Sequence, residues 1–94
     1  MSQLKKTVRV MLIDDSPVVL HILKKLLMKS QAIEVVGAFT DGIEALDSLA
    51  SMKPDVICTD YHMPKINGLE LIMQIMESYP KPILVISSAV KTEG

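Results

Sequence analysis

The 94-residue sequence predicts an α/β fold, in which a parallel sheet carries helices on both faces. Short apolar runs rich in β-branched residues alternate with segments whose apolar residues recur at helical spacing, in the order βαβαβαβ. Ile, Val, Leu and Met supply most of the 49% of residues that are hydrophobic, a composition typical of strands buried on both faces. Right-handed crossovers between such strands place helices on both sides of the sheet.

The first predicted strand, Val8–Ile13, is a short β-branched run typical of a buried position. Ser16 is a favourable N-cap for the helix that follows. Pro17 suits the first helical position because a backbone amide there would have no hydrogen-bond partner within the helix. We expect this helix to extend to about Lys29. Its apolar arc covers roughly half of the helix circumference, more than one sheet face requires, and therefore predicts a second helix beside it.

The second strand is predicted over Ile33–Phe39. Thr40 and Asp41 are both N-cap candidates for a helix that runs to about Met52. The helix stops there because a residue that precedes proline, as in Lys53-Pro54, disfavours helical backbone. Its spacing predicts three inward-facing residues: Ala45, Leu46 and Leu49.

The third strand is predicted over Asp55–Thr59, with Asp60 directly at its carboxyl end. A loop leads to a third helix, which is expected to be capped by Asn67 and to run to Ser78. Prolines on both sides of position 81 end that helix. A fourth strand, Ile83–Ile86, then finishes at two serines.

Length and charge restrict the classes of function. One domain over residues 1–94 is expected, because chains of this size rarely divide. A net charge of −1 gives no reason to expect a nucleic-acid or membrane partner. No apolar run approaches the ~18 residues of a membrane span. The single cysteine, Cys58, cannot form an internal disulfide, so a cytoplasmic location is expected.

Polar side chains follow three of the predicted strands: Asp14 and Asp15 after the first, Asp60 after the third, and Ser87 and Ser88 after the fourth. Ligands of parallel sheets bind at the carboxyl ends of the strands, so these groups should converge. Adjacent carboxylates repel one another, and a hard divalent cation such as Mg²⁺ offsets that repulsion. A carboxylate can also accept a phosphoryl group as an acyl phosphate. Each acid alone is more simply explained as a cap or strand end; the set of three is not.

Three motifs occur in order along the chain: IDDSP at residues 13–17, TDYHMPKING at 59–68 and VISS at 85–88. Together they resemble the response regulator receiver domain of two-component signalling. Among receivers, the sequence looks most like the N-terminal receiver of chemotaxis methylesterases. The resemblance implies a flavodoxin-like, doubly wound parallel sheet with strand order 2-1-3-4, truncated after the fourth strand.

The resemblance also implies a role for each residue of the site. Asp60 is the expected phosphoacceptor. Asp15 is expected to bind Mg²⁺ directly and Asp14 largely through water, and the backbone carbonyl of His62 completes the protein ligands together with Asp60. Ser87 is the expected switch hydroxyl that closes on the phosphoryl group.

The sequence departs from the receiver pattern at its end. Receivers continue with another helix, a fifth strand ending in a lysine, and a final helix, whereas this sequence ends at Gly94. Lys81 precedes a proline but stands at the start of a strand and cannot replace that lysine. We therefore expect a truncated, non-enzymatic receiver, with any methylesterase activity in a C-terminal domain absent here. Gly68 is expected to allow the tight turn after the site.

Three functions remain open at this point. The first is a phosphorylatable switch, with a sensor histidine kinase as partner and Mg²⁺ as cofactor. The second is a non-phosphorylated binding module that forms a homodimer through the exposed fourth strand or the first helix. The third, a Mg²⁺-dependent hydrolase with an aspartyl-phosphate intermediate, ranks last because His62 stands where such enzymes have a second acid.

Overall fold

The computed structural model describes residues 7–61 and 66–86 of the chain. Four strands and three helices alternate along it, in the order that the sequence predicts. Their bounds are β1 (Val8–Ile13), α1 (Pro17–Leu27), β2 (Ile33–Phe39), α2 (Gly42–Met52), β3 (Val56–Asp60), α3 (Gly68–Ser78) and β4 (Ile83–Ile86).

The strands form one parallel sheet in the order β2-β1-β3-β4, which confirms the doubly wound, flavodoxin-like fold. The two central strands, β1 and β3, pair from Val10 with Val56 to Ile13 with Thr59. The β1–β2 pairing contains an irregularity after Val10, where the register passes over Val36. Such a bulge locally bends a strand and increases its twist.

All three helices begin at the predicted caps. The side chains of Ser16, Asp41 and Asn67 accept hydrogen bonds from the backbone amides of their own first turns. The first helix ends two residues before the predicted Lys29, because the amide of Lys29 bonds to the carbonyl of Leu26 and tightens the chain into a turn.

The third strand begins at Val56 and not at Asp55 as the sequence suggested. Asp55 nevertheless stays tied to β1: its amide donates to the carbonyl of Arg9 at 2.7 Å, and its carboxylate accepts from the amide of Arg9 at 2.9 Å. The side chain replaces one rung of the strand ladder, which is why the regular strand starts one residue later.

Two apolar clusters lie on the two faces of the sheet. The larger cluster joins β1 and β3 to α2 and α3 and includes Met11, Ile57 and Leu71, none of which is exposed. The smaller cluster joins the opposite faces of the same strands to α1 and includes Leu20 and the predicted core residue Cys58. The alternation of side chains along β1 and β3 therefore supplies both cores.

Apolar side chains remain exposed on one stripe of α1 and one stripe of α3, and on β4. The broad apolar arcs that the sequence shows for these two helices thus exceed what the sheet covers in the described part of the chain. These side chains are between 42% and 66% exposed: Val18, Ile22, Leu26, Leu69, Met73, Met76, Leu84 and Val85. Among the described residues, no helix is long and apolar enough to cross a membrane.

Arg9 ties together three elements at the amino-terminal edge of the sheet. Its guanidinium donates to the carbonyl of Met52 at 2.6 Å and to that of Lys53 at 3.1 Å, both at the carboxyl end of α2. A cation at this position also stabilises the helix dipole. Lys53 ends α2 in the left-handed conformation, with φ of 51°.

Candidate functional site

The site lies at the carboxyl edge of the sheet, where the two central strands end side by side. Strand β1 ends at Ile13 and is followed by Asp14 and Asp15, and β3 ends at Asp60. The three carboxylates each contribute an oxygen to a group of atoms that lie within 4.8 Å of one another. The predicted convergence of these acids is therefore confirmed.

Asp14 is buried, with 3% of its surface exposed. One carboxylate oxygen accepts a hydrogen bond of 2.9 Å from the amide of Ser16, and the amide of Asp14 donates to the carbonyl of Phe39 at 3.0 Å. Burial raises the pKa of Asp14 above its ordinary value, and the charges of Asp60 and Asp15 raise it further, against the opposing effect of the Ser16 amide. The ionised pocket is therefore costly as it stands.

Asp60 is equally buried, at 3% exposed. Within residues 7–61 and 66–86, its Oδ1 oxygen has no hydrogen-bond partner. A buried carboxylate oxygen without a donor is unfavourable, so such atoms in native proteins usually mark a site for an ion, water or ligand. Asp15, by contrast, is exposed and opens the cluster to solvent.

This donor set suits a hard divalent cation. Three carboxylates close together supply oxygen ligands and a net negative charge, and two of the three are buried. Mg²⁺ prefers oxygen ligands and binds through one or two carboxylates. It also retains several bound waters, and the exposed position of Asp15 leaves room for them. The unpartnered oxygen of Asp60 is available as one of those ligands. The residues present therefore fit Mg²⁺.

Directly after the site, the backbone of Tyr61 packs against Gly68, and this contact is called the seam. The amide of Gly68 donates a hydrogen bond of 2.8 Å to the carbonyl of Tyr61. Gly68 does not have a positive φ, so the requirement for glycine at this position is not one of left-handed backbone. Glycine is required there by close approach, because a Cβ would stand 2.5 Å from the Tyr61 oxygen and 2.7 Å from its Cα.

One contact at the site and one irregularity of the sheet were not predicted from the sequence. Thr59 is only 1% exposed, and its hydroxyl donates to the backbone carbonyl of Asp60 at 3.0 Å. The bulge after Val10 in the β1–β2 pairing was also missed, although Gly37 inside an otherwise β-branched strand is a recognised signal for one.

The remaining predicted site residues, His62 and Ser87, lie outside the described residues, and so do Ser88 and Lys91. Their expected roles stay predictions. Two other residues with potentially reactive side chains lie outside the cluster: His21 is exposed on α1, and Cys58 is buried in β3. Burial raises the pKa of the Cys58 thiol, which keeps it protonated and unreactive.

Comparison with known proteins agrees with the fold. The family described as response regulator receiver domain matches residues 10–93. The response regulator domain of Thermotoga maritima CheB has a TM-score of 0.85 and 34% identity, over 95% of this chain and 66% of that one. The isolated REC domain of RcsB from Salmonella enterica serovar Typhimurium, in the presence of the phosphomimetic BeF3⁻, has a TM-score of 0.84 and 29% identity, over 92% of this chain and 65% of that one.

Among curated sequences, the protein-glutamate methylesterase/protein-glutamine glutaminase of Sulfurimonas denitrificans is 40% identical over 81 residues. The match covers 86% of this chain but 23% of the relative. A second methylesterase, from Geobacter metallireducens, is 42% identical over 86 residues, which are 92% of this chain and 25% of that protein. The chain thus spans about a quarter of the length of the curated relatives that it matches.

Proposed function

Because this chain belongs to the response regulator receiver domain family, we propose that it is the phosphoacceptor of a two-component phosphorelay, of the chemotaxis type. A sensor histidine kinase passes a phosphoryl group to Asp60, and the altered surface changes a contact with a partner. The observation that carries the proposal is the buried Asp60 carboxylate, one oxygen of which has no hydrogen-bond partner among the described residues, with two further acids close by.

Asp60 is the nucleophile in this proposal. A carboxylate oxygen attacks phosphorus, the bond from phosphorus to the leaving group breaks, and an acyl phosphate forms on the side chain. Asp60 is only 3% exposed, and this burial limits access of water to the acyl phosphate. The charges of Asp14 and Asp60 repel each other, and a cation between them would offset that repulsion.

Mg²⁺ is the proposed cofactor. Asp15 would hold it directly, Asp14 largely through water, and Asp60 and the carbonyl of His62 would complete the protein ligands. When bound, the ion offsets negative charge on the transferring phosphoryl oxygens. Ser87 is the proposed switch hydroxyl for the phosphorylated state. Support for these roles comes from the clustered carboxylates and from the family match.

The proposal also covers the domain organisation, the location and the enzymatic activity of the chain. The chain acts as one receiver domain over residues 1–94, in the cytoplasm, and has no enzymatic activity of its own. A methylesterase activity like that named for its relatives would belong to protein outside this quarter-length match. The RcsB receiver with its phosphomimetic supports phosphoryl chemistry in a neighbour that shares this fold.

The chain is also proposed to form a homodimer. Leu84 and Val85 expose 56% and 42% of their surfaces on β4, and Ile22 exposes 51% on α1. Strand edges with apolar side chains favour pairing with a second chain, and large apolar patches favour burial. The family match does not favour the alternative function, a binding module that is never phosphorylated.

Mass spectrometry of the chain after incubation with acetyl phosphate and Mg²⁺ tests the proposal. Acetate leaves as the phosphoryl group joins Asp60, so wild type should gain one phosphoryl adduct. Asp60→Asn should gain none. Asp55→Asn is the matched control, since Asp55 is an exposed acid at the opposite edge of the sheet, and it should label as wild type does. An adduct that persists in Asp60→Asn contradicts the assignment.

A further inference from the structure

Thr59 places a hydroxyl on an otherwise apolar face of the sheet. It is 1% exposed. Side chains two apart in a strand share a face, so Ile57 precedes it on the same side. Its partners in register on the neighbouring strands are Ile13 and Val85. A polar group among such neighbours requires an explanation, because burial of a hydroxyl without a hydrogen bond costs about 1–3 kcal/mol.

The hydroxyl is satisfied by the main chain of the next residue. Thr59 Oγ1 donates to the carbonyl oxygen of Asp60 at 3.0 Å. This bond closes a small ring that contains the φ and ψ angles of Asp60, so it restricts both. The backbone conformation of Asp60 sets the direction of its Cα–Cβ bond, and so fixes the point from which the carboxylate reaches into the cluster.

Asp60 needs such a restraint. Within the part of the chain that the structure describes, its Oδ1 oxygen has no donor to hold it. The neighbouring carboxylates of Asp14 and Asp15 repel it. Among the described residues, the sheet holds the Asp60 main chain on one side only: Asp60 pairs with Ile86 of β4, whereas the pairing of β3 with β1 ends at Thr59. The bond from the Thr59 hydroxyl adds a restraint to that main chain.

From this arrangement we infer that Thr59 is a positioning residue, whose hydroxyl holds the Asp60 main chain so that the carboxylate points into the acidic cluster. The inference rests on the proposed function for its effect on phosphorylation, and on geometry alone for its effect on Asp60. It gives Thr59 no contact with the cation or the phosphoryl group.

Three variants separate the hydroxyl from the packing. Thr59→Val keeps the shape and removes the hydroxyl, whereas Thr59→Ser keeps the hydroxyl and removes a methyl group. Ile57→Val trims the same face of the same strand by one methylene and serves as the packing control. Each is compared with wild type in the NMR coupling between the amide and α protons of Asp60, which reports φ, in Mg²⁺ affinity by calorimetry, and in the rate of phosphoryl uptake from acetyl phosphate.

Thr59→Val should change the Asp60 coupling, weaken Mg²⁺ binding and slow phosphoryl uptake by about tenfold or more, since small misplacements of reacting groups cost up to roughly a hundredfold. Thr59→Ser and Ile57→Val should keep the wild-type coupling and rate. An unchanged coupling in Thr59→Val overturns the inference, and so does an equal loss in Thr59→Ser. If wild type takes up no phosphoryl group, the proposed function fails, and the coupling alone still decides the role of Thr59.

Discussion

Gly68 lies directly against the backbone of Tyr61, with its amide 2.8 Å from the Tyr61 carbonyl oxygen. No side chain fits between the two, because even a Cβ would stand 2.5 Å from that oxygen. The contact joins the start of α3 to the residue that follows Asp60. Whatever displaces this seam therefore displaces the end of the strand that carries the proposed phosphoacceptor.

Gly68→Ala should destabilise the fold by about 1–3 kcal/mol, the usual cost of an extra methyl group in a packed site. It should also slow phosphoryl uptake at Asp60, because relief of the clash moves the Tyr61 backbone. Chemical denaturation measures the first effect, and timed labelling with acetyl phosphate measures the second.

Gly37→Ala is the matched control for Gly68→Ala. A Cβ at Gly37 would also be crowded, at 2.6 Å from Met52 Sδ and 2.9 Å from the Phe39 ring. A methionine side chain can move aside, whereas a backbone in a hydrogen-bonded seam cannot. Gly37→Ala should therefore cost less stability and leave labelling at the wild-type rate. Equal effects of the two substitutions would contradict a special role for the seam.

Asp15→Asn should weaken Mg²⁺ binding by about tenfold or more, because even residues outside the first ligand shell typically contribute about 10–100-fold to metal affinity. Calorimetric titration of Mg²⁺ into wild type and variant measures the difference. Asp47→Asn, at an exposed position on α2, removes the same charge from another surface and should bind as wild type does. Equal affinity for wild type and Asp15→Asn would remove Asp15 from the site.

Asp14→Asn should stabilise the fold at neutral pH when Mg²⁺ is chelated. Burial and neighbouring charges raise the pKa of Asp14 above its ordinary 3.8, so its ionised form is less stable in the folded protein than in the unfolded chain. The amide side chain removes that charge and retains an oxygen for the Ser16 amide. A gain of about 1 kcal/mol would raise the unfolding midpoint by roughly 4–8 °C.

The sign of the pH dependence provides the check on Asp14. As pH falls through the raised pKa, folded wild type binds a proton that the unfolded chain does not yet bind, and wild type gains stability relative to Asp14→Asn. The advantage of the variant should therefore shrink below neutrality and be smallest below pH 3.8, where both states are protonated. An advantage that grows on acidification would show that the pKa of Asp14 is lowered and not raised.

Wild type should self-associate, with a sedimentation coefficient that rises with concentration. Leu84→Lys places a charge on the β4 edge, and Ile22→Lys places one on the exposed stripe of α1; whichever surface forms the contact, its variant should shift the equilibrium to monomer. Ala38→Lys adds the same charge to an exposed position on the other edge strand, β2, and should have no effect. A single monomeric species of wild type at every concentration would exclude the homodimer.

The sequence predicted the type and order of all seven elements because local signals agree with the fold at each of them. Side-chain caps at Ser16, Asp41 and Asn67 begin the helices, and the strands are short β-branched runs with sharp ends. The convergence of Asp14 and Asp60 followed from topology alone, since residues that end neighbouring parallel strands must lie at one edge.

What the sequence did not predict depends on contacts between distant segments. The bonds of Arg9 to Met52 and Lys53 join positions more than forty residues apart, and no local pattern predicts them. The close approach at Gly68 likewise depends on where Tyr61 lies and not on a dihedral preference. The hydroxyl of Thr59 gave no periodic signal, because one threonine in a β-branched run reads as an ordinary strand residue.

Arg9 holds β1, β3 and α2 together at one edge of the sheet, and the carboxylates occupy the other. The anchoring bonds of Arg9 and the proposed binding residues therefore lie at opposite edges of the sheet. Protein engineers can exchange the residues at the strand ends, for histidines or amides that favour another ion, while that anchoring network stays untouched. The domain could therefore serve as a small scaffold in which the residues at the strand ends are changed and the bonds of Arg9 are kept.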